Sequence, residues 1–132
     1  MKLSEEKYLI DTDILFSKKY VKFRGKGIIT IITLYELITI VRSRYLDMLK
    51  RGYKNRAEGY LRFLNIILND IKNSVIGITE FDILNSINII FERELSVGDA
   101  INVTIAKRSG MTIVSNDKDY ERVKDLVNVI RT

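Results

Sequence analysis

Apolar residues fall along the chain in short blocks separated by charged stretches. Tyr8 to Ile10 closes a brief apolar run on Asp11, which reads as the end of a buried strand. A helix is expected from about Asp13 to Val21, then a basic loop with Gly25 and Gly27. Ile28 to Ile32 is β-branched and uninterrupted, as a central parallel strand should be. From Thr33 the period changes: Leu34, Leu37, Ile38, Val41, Tyr45, Met48 and Leu49 recur at three- and four-residue steps, a long helix that Gly52 ends. A second long helix spans roughly Asn55 to Lys72, with Leu61, Leu64, Leu68 and Ile71 on one face and Tyr60, Phe63 and Ile67 in a neighbouring stripe. That second stripe fits either a deeper core position or a partner subunit. The rest reads as a strand at Ser74–Ile78, helices at Glu80–Glu92 and Ser96–Arg108, a strand at Met111–Ser115, a short helix at Lys118–Val123 and a last strand at Val127–Ile130.

Strands that alternate with helices imply an α/β fold whose parallel sheet is covered on both faces. Ligands of such sheets bind just beyond the C-terminal strand ends, where the chain turns into helices. Four carboxylates fall in or around that location: Asp11 after the first strand, Glu36 early in the following long helix, Asp117 after the strand Met111–Ser115, and Asp99 in the first turn of the helix before it. Asp13 and Asp119 are near neighbours of the first and third.

Composition removes most other chemistries. The chain has 132 residues, enough for one domain over residues 1–132, and it lacks both His and Cys. Imidazole acid–base catalysis, thiol nucleophiles, Ser-His-Asp triads and ordinary zinc sites are therefore excluded. The first ten residues show no secretion-signal pattern, and the longest apolar stretch, Gly27 to Val41, is short and holds Glu36, so no membrane span and a cytoplasmic location are expected. The net charge of +5 is unevenly spread, for no acid lies between Ile14 and Tyr35 while Lys18, Lys19, Lys22, Arg24 and Lys26 crowd one stretch. This fits either a solvated lysine-rich surface or a phosphate-attracting rim.

Each acid taken singly has an ordinary explanation. Thr33 with Glu36, and Ser96 with Asp99, are spaced as capping boxes, and Asn116 and Asp117 suit a turn and a helix cap. As a set they are harder to explain. Asp11 ends an apolar strand and Glu36 interrupts an apolar run, so each carboxylate is desolvated unless a cation or several donors meet it. Oxygen-only acid clusters suit Mg²⁺ or Mn²⁺.

Four segments, Tyr8-Leu9-Ile10-Asp11-Thr12-Asp13, Thr33-Leu34-Tyr35-Glu36-Leu37, Leu95-Ser96-Val97-Gly98-Asp99-Ala100 and Ile113-Val114-Ser115-Asn116-Asp117-Lys118-Asp119-Tyr120, resemble the motifs of PIN domains. More narrowly, the chain resembles single-domain VapC-type toxin ribonucleases over nearly its whole length. The resemblance implies a three-layer sandwich with a central parallel sheet of four or five strands, and a metal-dependent endoribonuclease. It implies Asp11, Glu36, Asp99 and Asp117 as the acidic quartet, Asp119 as an accessory acid, and Thr12 and Ser115 as hydroxyls near the metal. It further implies a homodimer and a small antitoxin partner. The sequence departs from the family pattern in having Ile31-Ile32 where Pro is frequent, Asp13 for Asn or Ser, Val103 for a small residue, Ser115 for Thr and Tyr120 for Phe.

The expected chemistry is hydrolysis of RNA phosphodiesters by metal-activated water, with Asp11, Asp99 and Asp117 as ligands and Glu36 completing the site or orienting the water. Lys18, Lys19 and Arg42 are candidates for holding the RNA strand. Two alternatives stand beside this. Asp11-Thr12-Asp13 also resembles the nucleophile motif of haloacid dehalogenase-type phosphatases, and a PIN-like domain that binds RNA or protein without cutting is the non-enzymatic one.

Overall fold

A computed structural model of the chain describes residues 6–132. Residues 1–5, part of the stretch examined for a secretion signal and of the expected 1–132 domain, lie outside the described residues. The elements run β1 (Tyr8–Ile10), α1 (Thr12–Ser17), a 3-10 turn (Lys19–Phe23), β2 (Gly27–Thr30), α2 (Ile31–Lys50), α3 (Lys54–Ile71) and β3 (Val75–Ile76). They continue α4 (Glu80–Asn85), α5 (Ile87–Glu92), α6 (Val97–Ser109), β4 (Thr112–Val114), a 3-10 turn (Lys118–Val123) and β5 (Val129–Ile130). The five strands form one sheet in the order β3-β2-β1-β4-β5, and every pairing is parallel.

Period-2 alternation on the central strands divides the core between the two faces of the sheet. Ile10 of β1 and Val114 of β4 turn to a cluster with Ile14, Leu15, Leu37, Val41, Ile67 and Ile71, supplied by α1, α2 and α3. Leu9 and Ile113 turn the other way, to Ala100, Val103 and Ala106 of α6 and to Tyr120 and Val123. The result is the three-layer sandwich expected. Fully buried side chains such as Ile14, Leu15, Leu37 and Ile67 each contribute roughly 1.5–3 kcal/mol.

Three expectations are corrected. The long helix begins at Ile31, not Thr33: Thr30 is its N-cap, with its hydroxyl accepting from the Thr33 amide, so β2 ends before the Ile31-Ile32 pair. A β-branched run straddles the boundary, and the cap decides against its strand propensity. Glu36 therefore sits in the second turn and caps nothing. The stretch Glu80–Glu92 breaks in two at Ser86, whose buried hydroxyl donates to the Ile83 carbonyl and competes with the helical ladder. The helix expected over Asp13–Val21 stops at Ser17, where Lys18 enters the left-handed region (φ 62°) and a 3-10 turn follows. In α3 the buried residues are Ala57, Ile67 and Ile71, with Tyr60, Phe63, Leu64 and Leu68 packed beside them, while Leu61 faces outward. Most of the double stripe thus packs on the core, while Tyr60 and Phe63 also line a cleft at the surface.

Connections leave β1 toward β2 on one side, while β4 lies on the other, so the reversal in strand order falls between β1 and β4. Their carboxyl ends open into Asp11 and Ser115. This is the crevice at which an open parallel sheet binds ligands.

Candidate metal centre

Asp11 leaves the end of β1 with its amide donating to the Val114 carbonyl, which anchors it at the crevice. Its side chain is 7% exposed, and its Oδ2 accepts the Ser115 hydroxyl at 2.7 Å. Next to it, Thr12 Oγ1 donates to Glu36 Oε1 at 3.4 Å, linking α1 to α2. Asp99 enters from α6: Ser96 caps that helix by accepting from the Asp99 amide, and the buried Tyr120 hydroxyl donates to Asp99 Oδ1 at 3.1 Å. Asp117 caps the following 3-10 turn, its Oδ1 accepting from the Asp119 amide at 2.9 Å. Folding thus brings together Asp11, Thr12, Glu36, Asp99, Ser115, Asp117 and Asp119, all anticipated from the sequence.

Electrostatics mark the cluster as under-neutralised. Burial, and then the Asp99 charge, push the Asp11 carboxyl up from 3.8 to about 7. Burial and Asp99 likewise raise Glu36, and burial followed by Asp117 and Asp119 raises Asp99. Among the described residues no Lys or Arg is ion-paired to Asp11, Glu36, Asp99 or Asp117, and Asp119 is held by Arg122 at 3.2 Å. Mutually repelling carboxylates are thus retained at a strand end with, among the described residues, only the Arg122 charge paired to one of them.

The donor set fits a small divalent ion. One carboxylate oxygen each from Asp99, Asp117 and Asp119 lie within 4.8 Å of one another. Ligands opposed across Mg²⁺ stand about 4.2 Å apart, so slight side-chain rotation closes the set. Asp11 and Glu36 are outside this triangle and reach it through Asp99, to which both are electrostatically coupled.

A sequence model of the family described as PIN domain matches residues 8–126. The chain belongs to the PIN domain family. Solved structures agree on the fold. PAE2754 from Pyrobaculum aerophilum is 21% identical, with a TM-score of 0.70 over 96% of this chain and 90% of that one. DNA-bound VapBC from Salmonella typhimurium is 15% identical, with a TM-score of 0.63 over 96% and 98%. A toxin–antitoxin complex from Klebsiella pneumoniae is 19% identical, with a TM-score of 0.54 over 93% and 95%. No curated protein sequence matches. Membership in the PIN family displaces the dehalogenase-type alternative. Locally, too, Asp13 is committed: its carboxylate accepts the Asn116 amide at 2.8 Å and the Ser115 hydroxyl at 3.4 Å, which ties α1 to the end of β4.

Among the described residues none of the three basic candidates is ion-paired to an acid of this PIN domain's site, although the Thr132 carbonyl that Lys19 contacts also accepts from Asn116 Nδ2, next to Asp117. Lys19 Nζ donates to the Thr132 carbonyl at 2.9 Å. Arg42 is exposed on α2, six residues and about 240° around the helix from Glu36. Lys18 lines a cleft of about 510 Å³ with Phe16, Arg44, Met48, Arg56, Tyr60 and Phe63. No helix among the described residues is long and apolar enough to cross a membrane. Two residues at the site had no assigned role in the sequence, Tyr120 and Gly98. The first stood out only as a departure from Phe; the second carries no side chain to notice.

Proposed function

We propose that this PIN domain, spanning residues 1–132, is a cytoplasmic endoribonuclease that hydrolyses RNA phosphodiesters with Mg²⁺ or Mn²⁺. We assign Asp11, Glu36, Asp99 and Asp117 to the metal, with Asp119 as accessory. The observation that carries this reading is the convergence of four acids at the β1/β4 crevice, three with raised carboxyl pKa values, where no basic side chain among the described residues pairs with them. PIN domains are in general nucleases that use divalent metals, which supports the same assignment.

A divalent ion bound here would polarise a phosphate oxygen and lower the pKa of a coordinated water. The protein's own contribution is to hold donors. Ser115 fixes one oxygen of Asp11 and Tyr120 one oxygen of Asp99, which leaves the second oxygen of each as a donor. Glu36, steadied by Thr12, is the carboxylate assigned to orienting the water and accepting its proton. The chain has no imidazole to do so. Backbone phosphates neighbouring the cleaved one meet a surface whose net charge is positive.

The toxin role is the second part of the proposal. The Klebsiella pneumoniae neighbour is a toxin–antitoxin complex of this fold, and the cleft at Phe16, Tyr60 and Phe63 carries Lys18, Arg44 and Arg56 with no acidic partner among the described residues. That combination suits an acidic segment of a small antitoxin. Exposed Phe81, Leu84 and Phe91 on α4 and α5 support a homodimer.

Incubating the protein with single-stranded RNA, with and without Mn²⁺ and a chelator, tests the central assignment. Expected is cleavage that needs metal and vanishes in Asp11→Asn. RNA that is bound but left intact under all metal conditions would favour the non-catalytic reading instead.

A further inference from the structure

Three side chains form a buried polar network between α2 and α6. Thr30 and Thr33 are fully buried and Asn102 is 1% exposed, in a helix buried on every side from Asp99 to Ala106. The Thr30 hydroxyl donates to Asn102 Oδ1 at 2.7 Å, and Asn102 Nδ2 donates to Thr33 Oγ1 at 3.1 Å, across 72 and 69 residues of chain. Thr30 Oγ1 already accepts from the Thr33 amide, so its proton is free for Asn102. That sets the amide orientation, with Asn102 Oδ1 accepting and Nδ2 donating. Among the described residues no buried side-chain polar atom lacks a partner.

The placement of this network matters more than its existence. Asn102 follows Asp99 by three residues on α6, and Thr33 precedes Glu36 by three on α2. Asn102 and Thr33 are therefore each one helical turn from an acid of the site, on the same helix face. The Gly98 backbone of α6 also approaches α2 closely here: a Cβ on Gly98 would lie 3.1 Å from Glu36 Oε2 and 3.2 Å from Ile32 Cγ2. Apolar packing is non-directional and tolerates sliding, whereas three short bonds between fixed rotamers do not.

We propose that Asn102 is a positioning residue: through Thr30 and Thr33 it fixes the register of α2 on α6 and so keeps Glu36 opposite Asp99. A leucine at this position has similar volume and leaves Thr30 able to donate to Thr33 Oγ1, 3.4 Å away, so the fold tolerates the change. What it removes is the link between the helices. Site groups displaced by a fraction of an ångström lose rate steeply.

The inference rests on the metal-nuclease reading, and its test separates the two. Wild type, Asn102→Leu, Thr33→Val and Thr33→Ser are compared for cleavage of mixed-sequence single-stranded RNA and for Mn²⁺ affinity by electron paramagnetic resonance. Asn102→Leu and Thr33→Val are expected to lose about tenfold in kcat, with KM within about twofold and Mn²⁺ binding weakened several-fold. Thr33→Ser, which keeps the hydroxyl, stays near wild type. Folded Asn102→Leu with wild-type kcat and Mn²⁺ affinity overturns the positioning role. If Asn102→Leu fails to fold, the threonine pair decides, and equal behaviour of Thr33→Val and Thr33→Ser overturns it. A wild type that neither binds Mn²⁺ nor cuts RNA removes the metal-nuclease reading itself and this inference with it.

Discussion

Gly98 lies directly against the carboxyl end of Glu36: a Cβ there would stand 3.1 Å from Glu36 Oε2 and 3.4 Å from its carboxyl carbon, so a methyl group makes the carboxylate give by a few tenths of an ångström. Gly98 is the second residue of α6, one before Asp99, so the approach that admits Glu36 also sets its distance to Asp99. Alanine favours a helix over glycine by about 1 kcal/mol, which offsets the crowding. Gly98→Ala is therefore expected to melt within a few degrees of wild type while losing at least about tenfold in metal-dependent cleavage. Wild-type cleavage in the folded variant would show that Glu36 has slack the structure does not suggest.

Removing the Tyr120 hydroxyl tests the support of Asp99. Its hydrogen bond favours the charged carboxylate, against the burial that raises the pKa. In Tyr120→Phe that carboxyl should titrate still higher, moving the acid limb of the pH–rate profile upward, with a stability loss of about 1 kcal/mol in urea unfolding. An unshifted acid limb would mean that Asp99 does not depend on this donor.

Metal-free stability should fall as pH rises from 4 to 8. Asp11 binds its proton more tightly folded, at about 7 against 3.8, so its contribution is full below the unfolded value and is lost as pH climbs through the folded one. Glu36 and Asp99 shift in the same direction. Asp11→Asn should match wild type near pH 4 and exceed it at pH 8, and added Mn²⁺ should stabilise wild type most above pH 7. Melting curves across pH check this. An Asp11→Asn variant less stable than wild type at pH 8 would count against the repulsive cluster.

An ion pair remote from the crevice provides the contrast. Buried Asp82 accepts from Arg108 Nε and Nη2, at 2.6 and 2.9 Å, and closes the capping box of α4 with Thr79. The Arg108 contact holds its carboxyl down at about 2, so this stabilisation is present above 3.8 and is lost as pH falls toward 2. Arg108 is half exposed, and solvent softens the loss, so Arg108→Ala should cost about 2 kcal/mol while leaving cleavage per folded molecule unchanged. Reduced cleavage in the folded fraction would mean that α4 communicates with the site.

Much of this molecule was readable before folding. Each strand lies in a short apolar block, and Asp11, Asp99 and Asp117 follow a strand or open a helix, so local pattern plus the crevice rule located those three. The start of α2 was misread because Ile31 and Ile32 prefer strands while a threonine hydroxyl decides otherwise. Ser86 was missed because its influence is a hydrogen bond to its own helix. Asn102 and Tyr120 act through partners 72 and 21 residues away, and no local periodicity records such a pairing. The Lys19 contact with Thr132, 113 residues off, was equally invisible to a count of charges.

The shared divalent ion is tested most directly by crystals grown with millimolar Mn²⁺ and measured at the manganese absorption edge. An anomalous peak among Asp99, Asp117 and Asp119, within reach of Asp11 and absent in Asp99→Asn, is the expected result. Ordered carboxylates with no anomalous density between them would contradict it.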